Sequence, residues 1–503
     1  MMQSTIFISF ILYTLMLFLI MWLTSRKADN ETYFRGNRRS PWFVVAYGMI
    51  GASLSGVTLL SVSGDVYNTQ FTYFGIVIGY VIGYAVIALI LLPLYYRLNL
   101  TSIYSYLEQR FGVASYKTGA FFFVLSRLLG SAIRLYLMIY VLQEFVFKHW
   151  GIPVWLTACI FVIIILLYTF KGGIRTVVWT DLLQTTLLLA ALLFTVLFIP
   201  KEMNFSFTHI LHEMHADRLT TVFETNWHNH NFFIKQILSG AFITITMTGL
   251  DQDMMQKNLS CKNLKDAQKN MFTFSGILVF ANALFLLLGG MLIVFANHHG
   301  IDVDAAKTDR LFPTIAFEYM PPVAGIVFVL GLIAAGYSSA DGTLTSLTTV
   351  VCVDFLGLKK SGKSEKEQIG MRRKVHVLMG LLFLAVILIF AQYHNDALIR
   401  IIFRIASYTY GPLLGLYTFG LYTKRKIPLK KERLVPLFAC LSPLICLILN
   451  RYSKRLFWGY EFGFELLLLN GLIMMFFLWT ISERKESDSQ NIFFEINKDA
   501  DNR

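Results

Sequence analysis

Hydroxyls and a carboxylate sit inside the apolar stretch Gly331-Leu-Ile-Ala-Ala-Gly-Tyr-Ser-Ser-Ala-Asp-Gly-Thr343, where hydrocarbon makes such groups costly unless each finds a partner. The Ala335-x-x-Ser338-Ser339 spacing turns one backbone carbonyl and two hydroxyls toward a single point, a donor set suited to a hard, weakly held cation. We read it as half of a sodium site. A second run of small and hydroxyl residues, Gly51-Ala-Ser-Leu-Ser-Gly56 with Gly64 beyond it, lies at mid-depth of another apolar segment. Glycines let a helix unwind, and unwound carbonyls can coordinate a cation. Taken alone these glycines are better explained by close helix packing; their coincidence with the Ala335, Ser338 and Ser339 cluster favours the ion site.

Other polar residues in apolar surroundings carry two readings each. Asp181, in Val-Val-Trp-Thr-Asp-Leu-Leu-Gln184, falls about one turn beyond Lys171-Gly-Gly-Ile-Arg175. It is either an interfacial carboxylate near a helix N-terminus or a ligand for an exiting or second cation, with Asp341 nearby. Arg127 and Arg134, seven residues apart, share nearly one helix face, about 10 Å apart along the axis. Arg134 is too deep to snorkel: it pairs with a structural carboxylate such as Glu144 or Asp65, or its planar fork binds a carboxylate of a solute. Thr244, Thr246, Met247 and Thr248, which precede Gly249-Leu-Asp-Gln-Asp-Met-Met-Gln256, form a modestly polar lining when grouped with Ser53, Ser55 and Thr58. No nucleophile elbow, intramembrane His/Asp pair or phosphate-binding glycine loop is present, so no enzyme chemistry is indicated.

The elements that must hold these residues are apolar helices. Hydrophobic residues make up 56% of the 503 and charged ones 15%, and apolar runs long enough to cross roughly 30 Å of hydrocarbon recur from end to end. Linkers and polar faces of a soluble multidomain chain are missing, as are the alternating strands of a barrel. The runs predict helices at 3–23, 43–66, 72–96, 116–146, 153–170, 175–199, 232–253, 270–296, 323–354, 375–392, 397–422, 434–450 and 461–482, thirteen in all. The first run lacks a basic leader and a small-residue cleavage site, and reads as a retained helix.

The net charge of +13 resides in short loops beside the spans, which orients the chain and does not imply nucleic acid. Arg26 to Arg39, Arg97 to Lys117, Lys257 to Lys269, Lys359 to Lys374 and Lys424 to Arg433 would share the cytoplasmic side, with the N-terminus outside and the C-terminus inside. Five cysteines without ligand spacing predict neither a disulfide framework nor a metal site. His209, His212, His215, His228 and His230 in the outer segment 200–231 fit an amphipathic interfacial helix better than a zinc site. The organisation expected is an extra helix in 1–24, a ten-helix core in 25–425, two further helices in 426–482 and a polar tail in 483–503.

Taken in order, Tyr33-Phe-x-Gly-x-Arg38, Tyr106-Leu-Glu-Gln-Arg-Phe-Gly112, Trp179-Thr-Asp-x-x-Gln184, Gly249-x-Asp-Gln-x-x-x-Gln256, Asp309-Arg-x-Phe-Pro313, Ala335-x-x-Ser-Ser339 and Gly411-Pro-Leu-Leu-Gly415 resemble the sodium/solute symporter family over roughly Tyr33 to Arg425. The resemblance implies an all-α, leucine-transporter-like fold of two inverted five-helix halves, with one extra helix before and two after. It implies sodium held by the carbonyls of Gly51, Leu54 and Ala335 and the hydroxyls of Ser338 and Ser339. Relatives often have alanine at Gly51, a change a carbonyl ligand tolerates. Some members hold a second sodium on the aspartate matching Asp181 and on two serines that here are Asp341 and Gly342, so a second cation at Asp181, Ser338 and Asp341 stays open.

The solute lining implied is Ser53, Ser55, Thr58, Arg134, Thr244, Met247 and Thr248. Met247 and Thr58 replace an aromatic and an amide of the sugar-carrying branch, and Arg134 resembles the carboxylate-binding arginine of the sialic-acid-carrying branch. The expected function is sodium-coupled import of a small organic solute across the cytoplasmic membrane, with no obligatory protein partner. Proton coupling, a neutral sugar or amino acid as solute, and a membrane sensor that binds without transport are the alternatives.

Overall fold

The computed structural model describes residues 2–26, 28–358, 361–393 and 398–484. Most of the expected tail 483–503 lies outside them. Among the described residues the chain is helical throughout, with β-pairing confined to three isolated bridges.

Among the described residues seven helices are long and apolar enough to cross a membrane singly, two bent helix pairs pass the same test together, and three shorter apolar helices accompany them. In chain order the main helices are α1 (Met2–Ser25), α2 (Trp42–Ser53), α3 (Thr58–Thr69), α4 (Tyr73–Arg97), α5 (Val113–Phe147), α6 (Val154–Thr169), α7 (Ile174–Glu202) and α8 (Phe233–Gly249). There follow α9 (Gln252–Leu259), α10 (Leu264–His299), α11 (Pro322–Phe355), α12 (Glu365–Tyr393), α13 (Leu398–Thr409), α14 (Gly411–Tyr422), α15 (Val435–Arg451) and α16 (Leu466–Ile481). Apolar side chains such as Leu12, Leu15 and Leu19 of α1 and Leu378, Leu381 and Leu382 of α12 are exposed, as a lipid-facing rim requires.

Polar groups shift three of the helix starts away from the apolar runs, two earlier and one later. Asn263 accepts the Asp266 N–H (2.8 Å), which starts α10 six residues before position 270. Ser364 and Glu367 cap each other reciprocally (2.9 and 3.4 Å) and start α12 ten residues before 375. The run read as 461–482 begins its helix only at Leu466, because the Glu465 carboxylate accepts from Tyr460 Oη and Gly463 N (2.9 Å each) in a turn.

The two bends carry the functional residues. Between α2 and α3 the chain turns by 61°, with the Ser55 hydroxyl accepting from Val57 N (3.2 Å). Between α8 and α9 it turns by 64°, and Asp251 caps α9 by accepting from Asp253 N and Met254 N (3.0 and 3.2 Å). The carbonyls freed there are satisfied by tyrosines: Tyr95 donates to Gly249 O and Tyr104 to Leu250 O, each at 2.9 Å. α4 lies along α8 through Gly75, Gly79 and Gly83. A Cβ at Gly79 would stand 2.8 Å from Ala241 N, so only glycine permits the approach. α7 packs along both α2 and α11.

Candidate functional site

The bend between α2 and α3 leaves acceptors without donors. Leu54 leaves helical geometry (φ −83°, ψ 93°), and among the described residues no backbone N–H of the turn reaches the carbonyl of Gly51 or Leu54. These oxygens sit at the negative end of α2. On α11, which touches α2, Ala335, Ser338 and Ser339 are all buried. Ser338 Oγ donates to Asp181 Oδ1 (2.6 Å), and Ser339 Oγ to Ala335 O (3.2 Å). A hydroxyl binds a cation through its lone pairs, so a fixed acceptor for its hydrogen orients it for that task.

Gly51 corrects one expectation. Its N–H donates to Thr185 Oγ1 of α7 (3.0 Å), and a Cβ at 51 would stand 3.2 Å from Thr185 Cα and Cβ, and closer still to Oγ1. Alanine therefore does not fit without displacing Thr185, whatever a carbonyl ligand tolerates. We expect Gly51→Ala to destabilise the folded protein by about 1–3 kcal/mol, and Gly51→Ala with Thr185→Ala to recover most of the loss, as read by thermal unfolding in detergent. Gly64 is a packing glycine remote from the bend: a Cβ there would stand 2.8 Å from the Thr308 carbonyl carbon.

Asp181 is enclosed by protein. It has no exposed surface, and the cation beside it is Lys257, whose Nζ lies 2.8 Å from Asp181 Oδ2. Lys257 was expected in a basic loop; it belongs to α9, is 1% exposed, and lies 3.9 Å from Asp253 Oδ1. Asp253 in turn binds Arg127 of α5, which is also 3.7 Å from Asp251. Asp251 accepts from Tyr410 Oη (2.7 Å) at the junction of α13 and α14. Ser338, Asp181, Lys257, Asp253 and Arg127 thus form one continuous buried polar chain. Asp341 lies beside it and accepts from Tyr168 Oη (2.9 Å), Thr180 Oγ1 and Gln184 Nε2 (3.3 Å each) and Gly342 N (2.6 Å).

A cavity of about 70 Å³ opens next to the α2–α3 bend. Ser53, Ser55, Thr58, Arg134, Thr244, Met247 and Thr248 all line it, as do Leu54 and Arg127, which connect it to the α2–α3 bend and to the polar chain. Glu144 pairs with Lys148 and Arg310, and Asp65 accepts from Asn68. Among the described residues Arg134 has no ion pair, whereas Arg127 has two carboxylates. Tyr73, Tyr80, Tyr84, Asn282 and Phe403 complete the wall and were not singled out from the sequence. The tyrosine spacing of seven and four along α4 was the available signal, since it sets all three on one helix face. The cavity is smaller than the roughly 300–1,000 Å³ of pockets for drug-sized ligands, so solute entry requires the lining helices to part. In the outer segment, His209 pairs with Glu213 (3.2 Å) on the exposed helix Phe207–Ala216, and among the described residues no three metal-ligating side chains converge.

Broken helices with free carbonyls, a buried hydroxyl pair and an adjoining polar cavity define an ion-coupled solute carrier of the membrane. The sodium:solute symporter family matches residues 33–427, and the chain belongs to that family: it is a sodium-coupled symporter and not an enzyme. The sodium/sialic acid symporter of Proteus mirabilis (strain HI4320) is 25% identical over 419 residues, covering 82% of this chain and 83% of that one. A sodium/sialic acid symporter of Aliivibrio fischeri (strain ATCC 700601 / ES114) is 22% identical, over 80% and 79% of the two chains. Mouse sodium-coupled monocarboxylate transporter 2 is 24% identical, over 79% of this chain and 64% of its own length. Among solved structures, the substrate-bound outward-open state of a sodium-coupled sialic acid symporter superposes with a TM-score of 0.80 at 20% identity, covering 96% and 99% of the two chains.

Proposed function

We propose that this symporter imports a small solute bearing one carboxylate, of which sialic acid is the leading candidate, together with sodium bound at Gly51, Leu54, Ala335, Ser338 and Ser339. The observation that carries the solute class is the pairing of the two arginines. Both reach the cavity, but Asp251 and Asp253 pair with Arg127, while Arg134 has no ion-pair partner among the described residues. A desolvated guanidinium favours an anion that supplies two parallel acceptors. Ser53, Ser55, Thr58, Thr244 and Thr248 offer hydroxyls to the rest of a polar solute. The similarity to sialic acid symporters of two bacteria supports the same choice.

In this reading thirteen spans cross the cytoplasmic membrane, with the N-terminus outside, and the bent pairs α2–α3 and α8–α9 open two inverted five-helix halves. Sodium joins the carbonyls at the bend to α11, and so favours the arrangement in which Ser53, Leu54 and Ser55 present the cavity to the solute. Uptake draws on the sodium concentration gradient, and the membrane potential adds about 2.3 kcal/mol per 100 mV only for each net positive charge carried inward.

The test is thermal stability of the purified protein in sodium and in potassium, with sialic acid, other organic acids, hexoses and amino acids. Stabilisation by an acid in sodium alone is the expected result. Arg134→Lys keeps the charge and loses the fork, and should weaken binding of that acid about tenfold, or ~1.4 kcal/mol. An acid bound equally well by Arg134→Lys, or stabilisation by a neutral solute alone, overturns the carboxylate assignment while leaving sodium coupling intact.

A further inference from the structure

The position at which a second cation was expected already holds one that belongs to the chain. Lys257 Nζ lies 2.8 Å from Asp181 Oδ2, while Ser338 Oγ donates to the other oxygen at 2.6 Å, so both oxygens of Asp181 have a partner. All three side chains are buried, and Lys257 is delivered there by the 64° turn that starts α9. Asp341 is held apart from this pair: Tyr168, Thr180 and Gln184 donate to its Oδ2, and Gly342 N to its Oδ1. Gly342 fits the same arrangement. A Cβ there would press into the carboxylate of Asp253, 3.0 Å from its Cγ, so no side chain can stand at 342 while Asp253 holds Arg127 and flanks Lys257. A sodium ion at Asp181 would have to displace an ammonium group of equal charge from a buried pair.

We propose that Lys257 is the tethered counter-ion of Asp181 and takes the place of a second sodium, so that this carrier binds one sodium, at the bend of α2 and α3. The inference rests on the sodium assignment to Gly51, Leu54, Ala335, Ser338 and Ser339. It also sets the charge balance: one sodium with a monocarboxylate crosses without net charge, whereas two would move one positive charge per cycle.

The experiment is equilibrium binding of radioactive sodium to the purified full-length protein, counted per polypeptide, with a thermal melt of each variant as the check on folding. Wild type and Lys257→Arg should bind one sodium with a Hill slope of about one. Lys257→Met frees Asp181 and should bind two, with a steeper slope. The double variant Asp181→Asn with Lys257→Met removes both charges together, avoids an unpaired buried charge, and should return to one. Two sodium ions on the wild type overturn the proposal, as does a folded Lys257→Met protein that still binds one. Should Lys257→Met not fold, the wild-type count and the double variant decide. Absence of any sodium binding to folded wild type overturns the sodium site itself, an outcome distinct from a count of two.

Discussion

Arg127→Met should be the most damaging single substitution in the membrane core, lowering the stability of the folded protein by about 3–5 kcal/mol. The guanidinium is 4% exposed and is the cation shared by Asp251 and Asp253, both without exposed surface. Methionine reproduces only its apolar stem and leaves the two carboxylates with Lys257 as the nearest remaining ion-pair cation, 3.9 Å from Asp253 and already paired with Asp181. The loss should reach both bends at once, because Asp251 caps α9 and Asp253 adjoins Lys257. A thermal melt in detergent and the yield of folded protein measure the effect. Adding Asp253→Asn should recover part of it by removing one of the two stranded charges. A melt unchanged by Arg127→Met would show that these carboxylates need no cation.

Ser338→Ala should raise the half-saturating sodium concentration for uptake by roughly 10- to 150-fold, the equivalent of about 1.5–3 kcal/mol for one interaction with a charged group. Two effects add. One proposed ligand disappears, and Asp181 Oδ1 loses the donor 2.6 Å away that fixed its orientation. Ser338→Thr should restore sodium affinity in part, because the hydroxyl remains. Uptake into proteoliposomes across a sodium series gives the measurement, and an unaltered sodium dependence removes Ser338 from the ion site.

Much of the architecture was legible because hydrocarbon imposes it: runs of apolar residues long enough to span can be little else than helices. The Ala335, Ser338 and Ser339 cluster was legible for a related reason, since hydroxyls in such a run demand an explanation. Lys257 was hidden by its neighbours. With Lys262, Lys265 and Lys269 it resembled one more basic loop, and counting charges by loop assigned it there. The clue lay four and six residues upstream, where Asp253 and Asp251 follow the helix-breaking Gly249 and put Lys257 on a new helix with carboxylates of its own. Asp181 was judged shallow from its distance to Lys171 and Arg175. Its burial comes from packing: Gly48 brings α2 so close that a Cβ there would stand 2.9 Å from Asp181 Cβ. Cap residues shifted α10 and α12 because hydropathy is blind to polar helix starts such as Asn263 and Ser364.

The buried chain from Ser338 to Arg127 also governs how mutational data on this protein must be read. Its members run from the proposed cation position at one end to the cavity at the other, with each charge held by the next. A single substitution along it disturbs a neighbour as well as the residue replaced. Such effects are strongly non-additive between adjacent members and approach additivity only for residues well apart. Paired substitutions that preserve charge are therefore the experiments that can separate ion recognition from solute recognition, and strong epistasis along this line is the signature to seek in natural or selected variants.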